Sequence, residues 1–83
     1  MGRSVHSERY QEFLKRLRTA RHETGLTQKE VAEQLGVPQS YMSKCESGER
    51  RVDVIELTDF AATYKKSLTY FAYSKQDEHV EQS

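Results

Sequence analysis

Only Gly36 and Val37 separate Leu35, the last apolar residue of one short helical pattern, from Pro38, which opens the next. A connection this short leaves two helices little choice. They must meet in a steep corner, crossing at ~90–120°. Neither helix is long enough to hold itself together in water, so both depend on packing against the rest of the chain. With 83 residues the chain is sized for one domain.

The remaining pattern supplies that packing. In the stretch ERYQEFLKRLRTARHETG, Tyr10, Phe13, Leu14 and Leu17 recur at i, i+3, i+4 and i+7 and mark one face of a first helix. Gly25 is placed to end it in the left-handed conformation. The second helix opens with Thr27 and Glu30 in capping-box spacing and turns Val31, Ala32 and Leu35 inward. The third starts near Pro38, tolerated in a first turn because its missing N–H is unpaired there anyway, and stops at Gly48. A fourth is capped by Asp53 with Glu56 three residues on, and its inward stripe is Leu57, Phe60, Ala61 and Tyr64. A short fifth, with Ser67 as its cap, is expected to bury Leu68 and Phe71. No segment alternates with the period of a strand, so the fold class is all-α, with five helices. The expected organisation is a flexible N-terminal segment over 1–7, a helix-turn-helix domain over 8–73 and a polar tail over 74–83.

The third helix is unusual for one that must help hold a small core. On a wheel at about 100° per residue, Gln39, Ser40, Ser43, Lys44 and Ser47 share one arc of roughly 140°. Met42 and Cys45 lie opposite, and Tyr41 and Glu46 border the two sides. The arc is neutral or positive throughout, whereas an ordinary solvated helix mixes Glu with Lys. Its chemistry suits base edges: Gln pairs with adenine, Lys reaches guanine O6 and N7, and Ser serves several edges. A plain polar surface is the alternative. The corner favours base reading, because steep crossing projects the arc toward a groove ~12 Å wide while the second helix lies across it. Gln28 then sits in the first turn of the second helix, where free amides attract phosphate.

Charge is balanced overall, with thirteen cations and thirteen acids, which argues against indiscriminate coating of nucleic acid. It is polarised along the chain: ten cations face seven acids up to Arg51, and three face six beyond it. Cys45 is the lone cysteine, so no internal disulfide is available. No apolar run approaches the ~20 residues of a membrane span, and the opening MGRSVHSERY has no signal-type apolar stretch. The expected location is therefore the cytoplasm.

The stretch GLTQKEVAEQLGVPQSYMSKCESGER resembles the core of the lambda-repressor/Cro (XRE) family of helix-turn-helix transcription regulators. The likeness runs from about Leu17 to Phe71. It is carried by Arg21, Gly25-Leu26-Thr27-Gln28, Val31-Ala32, Leu35-Gly36-Val37, Ser40-Tyr41, Ser43-Lys44, Glu46 and Gly48, with Leu57, Ala61 and Leu68 further on. The resemblance implies a five-helix domain that binds palindromic operator DNA as a two-fold homodimer, with no cofactor. Gln39, Ser40, Ser43 and Lys44 would face bases, and Gln28, Tyr41 and Arg50 would hold phosphates. Arg21 and Glu46 would form a partly buried ion pair joining the first and third helices. Three positions depart from the family. Pro38 replaces a small polar cap, Cys45 a larger apolar residue, and Thr63-Tyr64 a common Ala-Leu.

Cys45 points inward and reads as a buried thiol, with a redox role as the alternative. His6, His22 and His79 are scattered without metal-ligand spacing. No nucleophile–base set and no phosphate-binding glycine loop occur, so the chain is not expected to be an enzyme. Arg50 and Arg51 follow Gly48 in a loop that should lie near the DNA backbone, and phosphate contact is expected of one or both. Arg3 and Arg9 sit in a head that could lie along DNA or stay free. Tyr70 and Tyr73 exceed what the core needs and are expected at a dimer contact through the C-terminal portion. The rival reading is an antitoxin-like subunit, or another protein-interaction module, for which DNA is secondary.

Overall fold

The computed structural model describes residues 7–72. Five helices follow one another: α1 (Glu8–Thr24), α2 (Gln28–Leu35), α3 (Gln39–Ser47), α4 (Val54–Tyr64) and α5 (Leu68–Ala72). No strand occurs among the described residues. Also among them, no helix is long and apolar enough to cross a membrane.

Local chemistry sets most of the boundaries. Ser7 caps α1, its hydroxyl accepting from the Tyr10 amide at 3.1 Å. Thr27 and Glu30 form a complete capping box on α2, and Asp53 and Glu56 form another on α4. The corner between α2 and α3 is a Schellman closure. Gly36 adopts φ 72°, its amide donates to Glu33 O at 3.3 Å, and the Val37 amide donates to Ala32 O at 3.0 Å. Two expectations need adjustment. Pro38 is the N-cap of α3, one position ahead of the first turn, and gives no side-chain hydrogen bond; the Tyr41 amide donates to its carbonyl at 3.0 Å instead. Leu68 is 44% exposed rather than buried. Helix α5 is a single short turn, and Phe71 alone of its side chains reaches the interior.

The core gathers Leu17 and Ala20 of α1, Val31 and Ala32 of α2, Met42 and Cys45 of α3, Phe60, Ala61 and Tyr64 of α4, and Phe71. Fully burying a side chain of Leu, Val, Phe or Met size stabilises by about 1.5–3 kcal/mol, and α3 supplies only two of the buried apolar ones. The other hold on α3 is aromatic. Tyr41 stacks on Phe60 (centroids 6.4 Å, 13°), and Phe60 stacks on Tyr64 (5.9 Å, 14°). A column of rings thus runs from α3 into α4. Tyr10 fixes the loop that follows α3, its hydroxyl accepting from the Val52 amide at 3.1 Å.

Candidate nucleic-acid interface

Helix α3 is divided as its sequence suggests. Met42, Cys45 and Glu46 are buried, and Gln39, Ser40, Ser43, Lys44 and Ser47 are exposed. The side chains of Gln39, Ser40, Ser43 and Lys44 make no hydrogen bond to another described residue, so their donors and acceptors are uncommitted. Ser47 is spent on the helix end: its hydroxyl donates to Lys44 O at 3.2 Å and accepts from the Glu49 amide at 3.3 Å.

Beneath this arc Glu46 joins three helices. Its Oε2 accepts from Arg21 Nε at 2.6 Å, and its Oε1 accepts from Arg21 Nη2 and from Gln28 Nε2, each at 3.0 Å. Arg21 also donates to Leu26 O at 3.0 Å, and Arg18 donates to the Glu46 carbonyl at 3.1 Å. Hydrogen bonding to Glu46 raises the Arg21 pKa above its ordinary value against the opposing cost of burial. The result fixes α2 and α3 to α1 through charge-assisted bonds. One Gln28 N–H is thereby turned inward, and its second N–H is left for another acceptor.

The loop after α3 is held as firmly. Arg50 grips Glu56 with both Nη atoms, at 2.9 and 2.6 Å, and donates from Nη1 to Arg51 O at 3.1 Å. Its guanidinium lies 4.7 Å from the Tyr41 ring centroid and caps the aromatic column. The bonds from Arg50 hold the Glu56 carboxyl down at about 2, and the Arg50 pKa rises in turn. Burial pushes the Tyr41 hydroxyl up to about 12 and raises the Cys45 thiol as well. Arg51 turns the other way and lies 4.4 Å from the Tyr10 ring centroid.

The residues expected to touch DNA therefore fall into three settings. Gln39, Ser40, Ser43 and Lys44 share one open arc. Gln28, Tyr41 and Arg50 flank it but are already bonded or stacked within the protein, and Arg51 lies toward α1. Tyr70 is half-buried, edge-on to Phe71 (5.0 Å, 87°), with Lys66 Nζ 4.8 Å and the Arg16 guanidinium 5.7 Å from its ring centroid. Tyr73 lies outside the described residues. Sequence reading missed the second role of Glu56. Its spacing from Arg50 is not helical, so only the folded loop brings the two together. No group of three or more His, Cys, Asp or Glu suited to a metal occurs among the described residues.

Comparison with known proteins places this geometry. Residues 12–67 match a helix-turn-helix domain family. Among solved structures the chain is similar to an XRE-family like protein from Pseudomonas syringae pv. tomato str. DC3000. The two are 45% identical over 83% of this chain and 84% of that one, with a TM-score of 0.74. No curated protein matches the chain. The domain match spans α2, the Gly36-Val37 corner and α3, and the chain belongs to the XRE family of helix-turn-helix DNA-binding proteins.

Proposed function

We propose that the chain is a sequence-specific transcription regulator, acting as a repressor, that reads the major groove with α3 as a homodimer on a palindromic operator. The observation that carries this reading is the acid-free arc of Gln39, Ser40, Ser43 and Lys44, exposed and uncommitted above a helix fixed from below. Preorganised side chains with free donors and acceptors are what base recognition requires. Phosphates are taken by the second N–H of Gln28, by the Gln28 and Lys29 amides that a first helical turn leaves unpaired, and by Tyr41, Arg50 and Arg51. Arg50 contributes through the N–H groups that Glu56 and the Arg51 carbonyl leave over. The functional domain is 8–73, and no catalytic step or cofactor is involved.

Selection of bound duplexes from a random pool tests this. Enrichment of a two-fold motif is the expected result, with half-sites ~34 Å apart. Gln39→Ala and Lys44→Ala should each lose about 1–3 kcal/mol of discrimination at one position per half-site while retaining affinity for random DNA. No enrichment at low salt, or equal loss on selected and random duplexes for Gln39→Ala, rejects the reading. The rival, a module whose main partner is another protein, is favoured by one observation: two large aliphatic residues, Val54 and Ile55, stand in solvent at the start of α4.

A further inference from the structure

Helix α3 is held differently along its two halves. The first half carries Gln39 and Ser40, and there Tyr41 stacks on Phe60 and Met42 is buried. The second half carries Ser43 and Lys44 and runs into the helix end, where the last carbonyls have no donor within the helix. The Arg50 amide is the one that a continuing α-helix would send to Glu46 O, four residues back. It donates to Lys44 O instead, at 3.1 Å. Glu46 O accepts from Arg18 Nη1 of α1, also at 3.1 Å. Arg21, one turn further along α1, holds the carboxylate of the same residue. Two arginines of one helix thus grip the main chain and the side chain of one residue near the end of another.

We infer that Arg18 is a positioning residue for base reading: its bond to the Glu46 carbonyl fixes the second half of α3, and with it the aim of Ser43 and Lys44. The role rests on base reading by α3, the proposed function. A short helix with few buried apolar side chains can pivot about its better-packed part. The aromatic stack lies in the first half, so a pivot about it displaces the second half most. Arg18 opposes that motion near the far end. It also sets a cation at the negative end of the helix dipole, and a bond from a charged donor is about twice as strong as a neutral one. Reading a base edge needs side chains placed to within about 0.5 Å, so a small pivot is enough to lose it. Arg18 is exposed whereas Arg21 is buried. Replacing Arg18 leaves no buried charge unpaired, because the Glu46 carboxylate keeps Arg21 and Gln28. The two arginines therefore divide the work: Arg21 holds the domain together, and Arg18 aims part of the reading face.

Selection of bound duplexes from a random pool, run on wild type, Arg18→Met, Arg18→Lys and Lys44→Ala, tests this together with amide hydrogen exchange of the free proteins. Arg, Met and Lys are near-equal helix formers, so both Arg18 variants should fold, with circular dichroism as the check. In the free protein Arg18→Met should speed exchange of the Cys45, Glu46 and Ser47 amides about five- to tenfold and leave Tyr41 and Met42 unchanged. On DNA it should lose about fivefold in discrimination at the base pair that Lys44→Ala also relaxes, while the base pair read by Gln39 and the affinity for random duplexes are kept. Arg18→Lys should restore both signals, because an ammonium can donate to the same carbonyl. Equal loss on selected and random duplexes with a shallower salt dependence would make Arg18 a phosphate ligand and overturn the inference. Relaxation at the Gln39 base pair as well would show α3 moving as one body and overturn it too, as would exchange that stays at the wild-type rate. A wild type that enriches no motif rejects the regulator; faster exchange in Arg18→Met would then leave the anchor on α3 standing, and unchanged exchange would remove both.

Discussion

Tyr64 is 2% exposed, and its hydroxyl is buried with no hydrogen-bond partner among the described residues. Burial raises its pKa. A buried hydroxyl without a partner costs about 1–3 kcal/mol of desolvation that nothing offsets. The ring is needed for the column with Phe60 and Tyr41, but the oxygen is not. Tyr64→Phe should therefore raise stability by about 1 kcal/mol, read as a higher urea midpoint with unchanged slope and a melting point up by ~4–8 °C. Arg21 and Glu46 present the opposite case, two buried charges that satisfy each other. Removing either alone, as Arg21→Met or Glu46→Met, should cost about 3–5 kcal/mol, and the double replacement should recover most of it. Domains are stable by only about 5–15 kcal/mol, so each single variant should lie near its unfolding transition at 37 °C. A double-mutant cycle in urea measures the coupling, and additive losses would show that the two charges do not act as a pair.

The helix ends show what the sequence discloses and what it withholds. Both capping boxes are readable from Thr27/Glu30 and Asp53/Glu56, because the motif needs only two residue types at fixed spacing. Gly25, Gly36 and Gly48 are readable as stops, and all three have positive φ. The fourth stop is not. Helix α4 is closed by Lys65 as its C-cap, with φ 59°, the sole non-glycine residue in that region among those described. The Lys66 amide donates to Ala61 O at 3.0 Å, completing the same Schellman closure seen at Gly36. Nothing in a lysine announces this, since tertiary packing of Tyr64 and Phe71 sets where the chain must turn. Lys65→Gly should relieve the left-handed strain and stabilise the domain by about 1 kcal/mol, measured by thermal unfolding. A loss instead would mean that the entropy of the added glycine outweighs the strain. The exposure of Leu68 has a similar origin, because a turn this short can aim only one large side chain inward, and that is Phe71. In the site, the open arc of α3 was readable from periodicity alone. The grip of Arg50 on Glu56 was not, because it depends on the path of the loop and not on any repeat.

Affinity for DNA must arise without help from net charge, which is zero. What the molecule has is placement. The arc of α3 carries Lys44 and no acid, and Glu46 of the same helix and Glu56 of α4 are each neutralised by an arginine. Counterion release then depends on a small number of cations and amides near the backbone. With about six to eight phosphates neutralised by the proposed dimer, log K should fall against log salt with a slope of about −5 to −7. The Arg50–Glu56 pair makes this test sharper than a simple deletion would. In the free protein Arg50 shares its charge with Glu56, so only part of that charge is offered to a phosphate. Arg50→Ala should weaken selected and random duplexes alike and shallow the slope by about 2 per dimer. Glu56→Gln keeps an acceptor for Arg50 and the spacing of the α4 cap but removes the competing charge. It should tighten binding to both kinds of duplex and steepen the slope, with base preference unchanged. A slope that stays the same in both variants would show that Arg50 serves the protein as a clamp on its loop, and that the phosphates are held by α2 and Lys44 instead.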